Sequence, residues 1–426
     1  MSHQCRVGTA IRAARCALRM TQAELGRACG YSASAISRVE AGRLRPTDGQ
    51  LRVIARVLGM SPDTVDASRP DTLAGDVTPG QEDAMLRRQL LVAGVSAAGV
   101  SVLPSTAAAS PRTDASTRIV GALYGAEPAA PVSLACLQTS LTSAWSAFAA
   151  ARYGSLGEML PGLLGTAQAT RDMLSGRARE EAHACVARAW VLATELALKG
   201  HHSDVAWPAA DRALAAAQAS GNPVVHGEAA RVLAITMRRS GRPSAAVDLL
   251  RRAAGALAKE QDEVARAVAA TLMMTAAYTA ACGQRRGEAL DLMTGAEDVV
   301  GSVAATESRP RSALFTVDAT SAQVDLYWIG VHTALGTPDE GVRYAAQISP
   351  RALPTVERRA RFGTDCARMW HHLGDHRRTF AALQFTERVA PEEVRRPALR
   401  ALTADLLYAP VSVPGVRELA ARTGAS

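Results

Sequence analysis

The chain has 426 residues and a formal charge of +8, with 48% of its residues apolar and only 4% aromatic. That length excludes one ordinary core, so two or three domains, or a small domain joined to an extended repeat array, are expected. Alanine and leucine carry most of the apolar fraction, a mixture that favours helix over strand and predicts an all-α protein.

The charge is unevenly spread. Residues 1–60 hold ten arginines and no lysine, against Glu24, Glu40 and Asp48 as acids, so seven of the eight excess positive charges lie there. A small basic module on a nearly neutral body is the electrostatic footprint expected for a polyanionic partner, most simply nucleic acid. The seven cysteines make no CxxC pair and no even-numbered framework. Neither a zinc site nor a disulfide scaffold is indicated, and reduced, mostly buried thiols in a cytoplasmic protein are expected. The residues after Met1 lack the apolar run of a secretory signal.

In chain order, a first helix is predicted at about residues 7–18, with Ile11, Ala14 and Leu18 inward. Thr21 and Glu24 have capping-box spacing and open a second helix, with Leu25 and Ala28 on its apolar face and Gly30 where the chain must reverse. Ser32 can cap a third helix, residues 33–41, which turns Ile36 and Val39 inward and leaves Ala33, Ser34, Ser37 and Arg38 on other faces. A fourth helix, boxed by Thr47 and Gln50, carries Leu51, Ile54, Ala55 and Leu58, and Ser61-Pro62 looks like the start of a fifth. A third helix bearing short polar side chains and one arginine suits insertion into a major groove, because bulky residues would hold it away from the base edges.

The string T-Q-x-E-L…G-x-S…I-S-x-x-E-x-G-x-x-x-P over residues 7–66 resembles the Cro- and phage-repressor-type helix-turn-helix family, also called the Xre family. The resemblance implies a five-helix, lambda-repressor-like module on double-stranded operator DNA. It places Gln22 at a phosphate-contacting position, Ser32, Ala33, Ser34, Ser37 and Arg38 at groove-facing positions, and Arg43 at a backbone-contacting one. Arg15 and Glu40 match an internal pair bracing the first helix against the third. Ala33 departs from the many relatives with a polar residue there, which shifts specificity toward Arg38 and DNA shape. Taken singly, each arginine has a solvated surface charge as its alternative reading.

Residues 67–130 read as a linker, opened by a Pro-, Gly- and Asp-rich hinge and containing a short apolar helix at about 84–103. Its weakly polar run, Leu90–Leu103, has fourteen residues, about 21 Å as a helix against the ~30 Å of a bilayer core. A packing helix against the body or a second copy of the chain is expected, rather than a membrane span.

Residues 131–426 alternate apolar-periodic stretches with Gly-, Pro- or Asp-containing turns, among them Gly221-Asn222-Pro223, Gly241-Arg242-Pro243, Gly336-Thr337-Pro338 and Gly374-Asp375. Pairing the stretches gives units at 177–220, 222–258, 261–302, 314–349 and 354–390. They resemble the tetratricopeptide-like repeats that follow an Xre-type module in many actinobacterial regulators. The resemblance implies a superhelix whose concave groove takes a peptide, small molecule or protein, with no residues assigned to that ligand. The five tryptophans all lie in this region and are expected in its core. The cluster His371, His372, Asp375 and His376 is better read as a solvated turn than as a metal site, because Gly374 interrupts the helix.

No P-loop, GxSxG or dinucleotide fingerprint is present, so no enzyme and no cofactor are expected. The sequence is most consistent with a cytoplasmic, sequence-specific DNA-binding transcriptional regulator with a C-terminal sensor domain. An adaptor with secondary DNA affinity remains the alternative.

Overall fold

The computed structural model describes most of residues 7–60, a short helical stretch at 119–123, residues 129–304 apart from 261, residue 315, and residues 319–409 and 413–425. The linker helix expected at 84–103, the fifth helix expected from Ser61 and the side chain of Arg43 lie outside the described residues. Among the described residues every regular element is helical, and the all-α architecture is that of a small helix-turn-helix bundle and a body of helical hairpins.

The amino-terminal bundle comprises α1 (7–15), α2 (Gln22–Cys29), α3 (Ala33–Glu40) and α4 (Asp48–Leu58). The box that opens α2 is complete: Thr21 Oγ1 accepts from Glu24 N at 3.1 Å, and Glu24 Oε2 accepts from Thr21 N at 2.7 Å. Gly30 closes the helix at φ +75°, a left-handed conformation that costs a side-chain-bearing residue more, and Tyr31 N returns to Gly26 O at 2.6 Å. Ile11, Leu25, Ile36, Val39, Leu51, Ile54, Ala55 and Leu58 form the core.

Two expectations fail in this bundle. Leu18 is 51% exposed, at a turn position whose N–H still reaches back to the Ala14 carbonyl at 3.1 Å. Ala28 faces solvent, and the half-buried Cys29 takes the inner position four residues after Leu25.

The body is a run of helix pairs: α5 (Leu134–Ala149) with α6 (Tyr153–Met173), α7 (Gly176–Gly200) with α8 (Ser203–Ala219), α9 (Pro223–Arg239) with α10 (Pro243–Leu257), α11 (Glu263–Cys282) with α12 (Arg286–Ala304), α13 (Ser321–Ala334) with α14 (Pro338–Gln347), and α15 (Val356–His372) with α16 (His376–Val389). Three short helices follow, α17 (Pro391–Val394), α18 (Pro397–Leu407) and α19 (Val416–Thr423). Local chemistry sets several starts. Asn222 Oδ1 caps a helix that begins with Pro223, while Asp262, Thr320, Thr355 and Asp375 each accept from a backbone N–H of the helix they open.

Alanines fill the facing sides of α7 to α11 and allow adjacent helices to pack tightly. Helix α11 is long and apolar enough to cross a membrane, but 78% of its apolar window is buried inside the body. Trp190 and Trp328 are buried and the other three tryptophans half-buried. The thiols depart from expectation: of the five described cysteines Cys185 and Cys366 are buried, whereas Cys136 and Cys282 are exposed.

The array curls until its last pair meets its first. Ala360 of α15 and Ala390 share one core with Leu137 of α5 and Leu156 of α6. Beside that core lies a buried charged joint. Lys199, at the end of α7, meets Glu357 of α15 and, at 3.1 Å, Glu393 of α17. Tyr153 Oη donates to Glu393 Oε2 at 2.6 Å, and Arg396 Nε donates to the Lys199 carbonyl at 3.0 Å. Burial opposes ionisation of Glu357, but Arg358 and Lys199 prevail and hold its pKa at about 2; Arg396 and Lys199 likewise hold Glu393 well below the ordinary carboxylate range against its own burial.

Candidate nucleic-acid interface

Helix α3 is anchored from behind by a buried ion pair and a half-buried glutamine. Arg15 Nε donates to Glu40 Oε1 at 2.5 Å, an Arg15 terminal nitrogen to Glu40 Oε2 at 3.0 Å, and Gln22 Nε2 to the same Oε2 at 2.8 Å. Burial pushes the Glu40 pKa up, and the hydrogen bonds from Arg15 and Gln22 bring it below the ordinary value. A further Arg15 N–H reaches the carbonyl of Met20, so one guanidinium ties α1, the turn before α2, and α3. The fork shape of arginine suits such a bidentate brace.

The other expected site residues are distributed around that brace. Gln22, at the first position of α2, turns its amide inward to Glu40. Ser32 Oγ accepts from Ala35 N at 3.1 Å and so caps α3. Ala33 and Ser34 lie in the first turn of α3, and Ser37 is exposed on the next. Arg38, one turn beyond Ser34, is half-buried because it forms an ion pair at 2.6 Å with Asp339 of α14.

That pair belongs to a larger contact between the bundle and the body. Tyr31 Oη donates to Gln284 Oε1 at 2.8 Å, while Gln50 Nε2 and Gln284 Nε2 each donate to the Ala334 carbonyl at 3.0 Å. Burial of Tyr31 raises its hydroxyl pKa, so it stays a donor. Between these polar contacts Ala35, Ile36, Val39, Leu44 and Ile54 face Gly336. Gly336 sits at φ +75°, and a Cβ there would lie 2.7 Å from both Tyr31 and Gln50. Only glycine allows the approach. The sequence marks Gly336-Thr337-Pro338 as a turn, but no local signal identifies Tyr31, Gln50, Gln284 or Asp339 as docking residues.

His332 is buried against Trp328 and Tyr344, its ring centroid 5.2 Å and 5.8 Å from theirs, with Nδ1 3.2 Å from Thr337 Oγ1. Burial first, and then Arg286 and Arg343, lower its pKa to about 4, so the ring is neutral at physiological pH. The histidine cluster further along does not gather on one helix: His371 and His372 end α15, His376 begins α16, and Asp375 accepts from Arg378 N as its cap.

The bundle therefore defines a class, the helix-turn-helix domains through which transcriptional regulators hold DNA, and residues 6–67 match the helix-turn-helix domain family. No curated protein matches the chain. Among solved structures, the chain is similar to Bacillus thuringiensis PlcR in complex with the peptide PapR7 and DNA, with 12% identity over 89% of this chain and 99% of that chain and a TM-score of 0.31.

Proposed function

We propose that the protein is a DNA-binding transcriptional regulator in which α3 reads operator DNA and the hairpin body controls its access. The carrying observation is the braced α3 itself. A short helix is fixed by the Arg15–Glu40–Gln22 triad and carries Ser34, Ser37 and Arg38 in a module holding most of the chain's excess positive charge. Arg38 and Arg43 would contact DNA, Arg38 at a base edge and Arg43 at a phosphate; Ser32, Ala33 and Ser34 would lie at the groove entrance.

The ion pair between Arg38 and Asp339 adds the regulatory half of the proposal. A guanidinium engaged by a carboxylate on the body is not free for a guanine, so the docked form represents the restrained state. Residues 1–66 act as reader, 67–130 as linker and 131–426 as a non-enzymatic sensor for a ligand or protein partner. Selection of bound sequences from random duplexes by the full-length protein, followed by sequencing, tests the proposal. Enrichment of one motif that depends on Arg38 supports it; recovery of unenriched sequence at ~150 mM salt, where surface charges are well screened, overturns it.

A further inference from the structure

The centre of the curled body is a groove of about 860 Å³, and its wall is strongly cationic. Arg238 and Arg239 come from the end of α9, Arg361 and Arg368 from α15, Arg396 from the start of α18, and Arg52 from α4 of the bundle. Asp365 is the one acidic residue in that wall, and it is already taken, 2.7 Å from Arg361 and 3.8 Å from Arg368.

Several arginines elsewhere in the body have carboxylates of their own. Arg188 meets Glu228, Arg231 meets Glu195 and Arg358 meets Glu357. In the groove Arg396 pairs with Glu393, and of the body's arginines there only the adjacent Arg238 and Arg239 stand apart. Arg239 donates to the Leu198 carbonyl and Arg238 to Thr279 Oγ1, the latter with its guanidinium 4.7 Å over the Tyr278 ring, and neither has a carboxylate partner among the described residues. Desolvation first, and then the neighbouring Arg396, Arg238, Arg361 and Arg368, depress the Arg239 pKa to about 10. Like charges converging in a partly dry cleft are costly unless an anion joins them.

We propose that this groove binds a small phosphorylated ligand carrying at least two closely spaced negative groups. Guanidinium groups arrive from separate helices and therefore from different directions. A tetrahedral phosphate offers oxygens on several sides, whereas a planar carboxylate is met well only in its own plane. The volume is that of a small-molecule site and not of a single ion. The site does not depend on the bundle reading DNA, although Arg52 places the bundle in its wall.

Isothermal titration of the full-length protein with inorganic pyrophosphate and with tripolyphosphate, at ~150 mM salt, tests this. One saturable site is expected, tighter for tripolyphosphate. Arg239→Gln combined with Arg368→Gln should weaken it tenfold or more, whereas Arg27→Gln combined with Arg56→Gln, on the exposed faces of the bundle, should not. Arg239→Gln alone removes a repelled charge, so its unliganded melting temperature should not fall; weakened binding by that variant is then not a folding defect. Absence of saturable binding, equal loss from the bundle variants, or tighter binding of hexaglutamate than of tripolyphosphate overturns the proposal.

Discussion

Arg38 of α3 and Asp339 of α14 face each other at 2.6 Å, 301 positions apart along the chain. The residue proposed to read a base is held by a carboxylate of the body. Because both side chains are about a quarter exposed, 23% and 28%, the pair is worth on the order of 1 kcal/mol or less. Asp339→Ala should therefore raise affinity for the selected operator about two- to five-fold without changing the motif, as read by gel retardation. Unchanged or reduced affinity would show that the docked form does not compete with DNA.

Gly336 provides an independent way to break the same contact. Gly336→Ala places a methyl group 2.7 Å from Tyr31 and Gln50 at a left-handed position, so the bundle must move off the body. The strain at the turn is about 1 kcal/mol. Limited proteolysis should then cut the 67–130 linker faster than in the parent protein while both halves keep their helical circular dichroism. An unaltered cleavage rate would mean that the contact absorbs the methyl group.

Reading and bracing should separate by mutation within the bundle. Arg38→Ala should cost ~1–3 kcal/mol on the operator and much less on random duplex. Arg15→Ala leaves Glu40 buried with only Gln22 of the described hydrogen-bond pair beside it, a loss on the order of 3 kcal/mol of bundle stability. Its first effect should be a lower melting temperature, with the preferred motif retained below that temperature. If Arg38→Ala weakens operator and random DNA equally, α3 touches only the backbone.

Acid should open the joint around Lys199. Glu357 titrates near 2 in the folded protein against an ordinary value of 4.5. Its ionisation therefore stabilises the fold fully above about pH 4.5, and that contribution is lost as pH falls toward 2. Glu393 acts in the same direction. Melting temperature should be flat from pH 7 to 5 and fall steeply below 4.5. Lys199→Met removes one of the cations that lower both values, so its acid transition should begin at higher pH. A pH-independent melting temperature down to 3 would contradict the joint's role.

The elements governed by local chemistry were legible from sequence: the Thr21–Glu24 box, the Gly30 reversal, the inward Ile36 and Val39, and the hairpin turns at Gly221, Gly241, Gly336 and Gly374. Each depends on residues within a turn or two. Leu18 and Ala28 were misplaced because periodicity assigns a face but not the point where a helix stops or which neighbouring position a core selects. The docking of Tyr31, Gln50 and Arg38, the Lys199 joint and the arginine groove all depend on contacts across more than a hundred residues. Isolated arginines at 238, 239, 361, 368 and 396 look like ordinary helix-surface charges until the curl of the array brings them together.

A stack of hairpins that touch only their neighbours ordinarily unravels from its two ends, because a terminal unit has half the support of an internal one. Here the terminal units support one another: Tyr153, Gly154 and Lys199 near one end hold Glu392, Glu393 and Glu357 near the other. Fraying therefore has no natural starting point, and the body should lose its structure in a single concerted step. A substitution that parts this fastening would restore gradual, unit-by-unit melting while leaving the interior hairpins as stable as before.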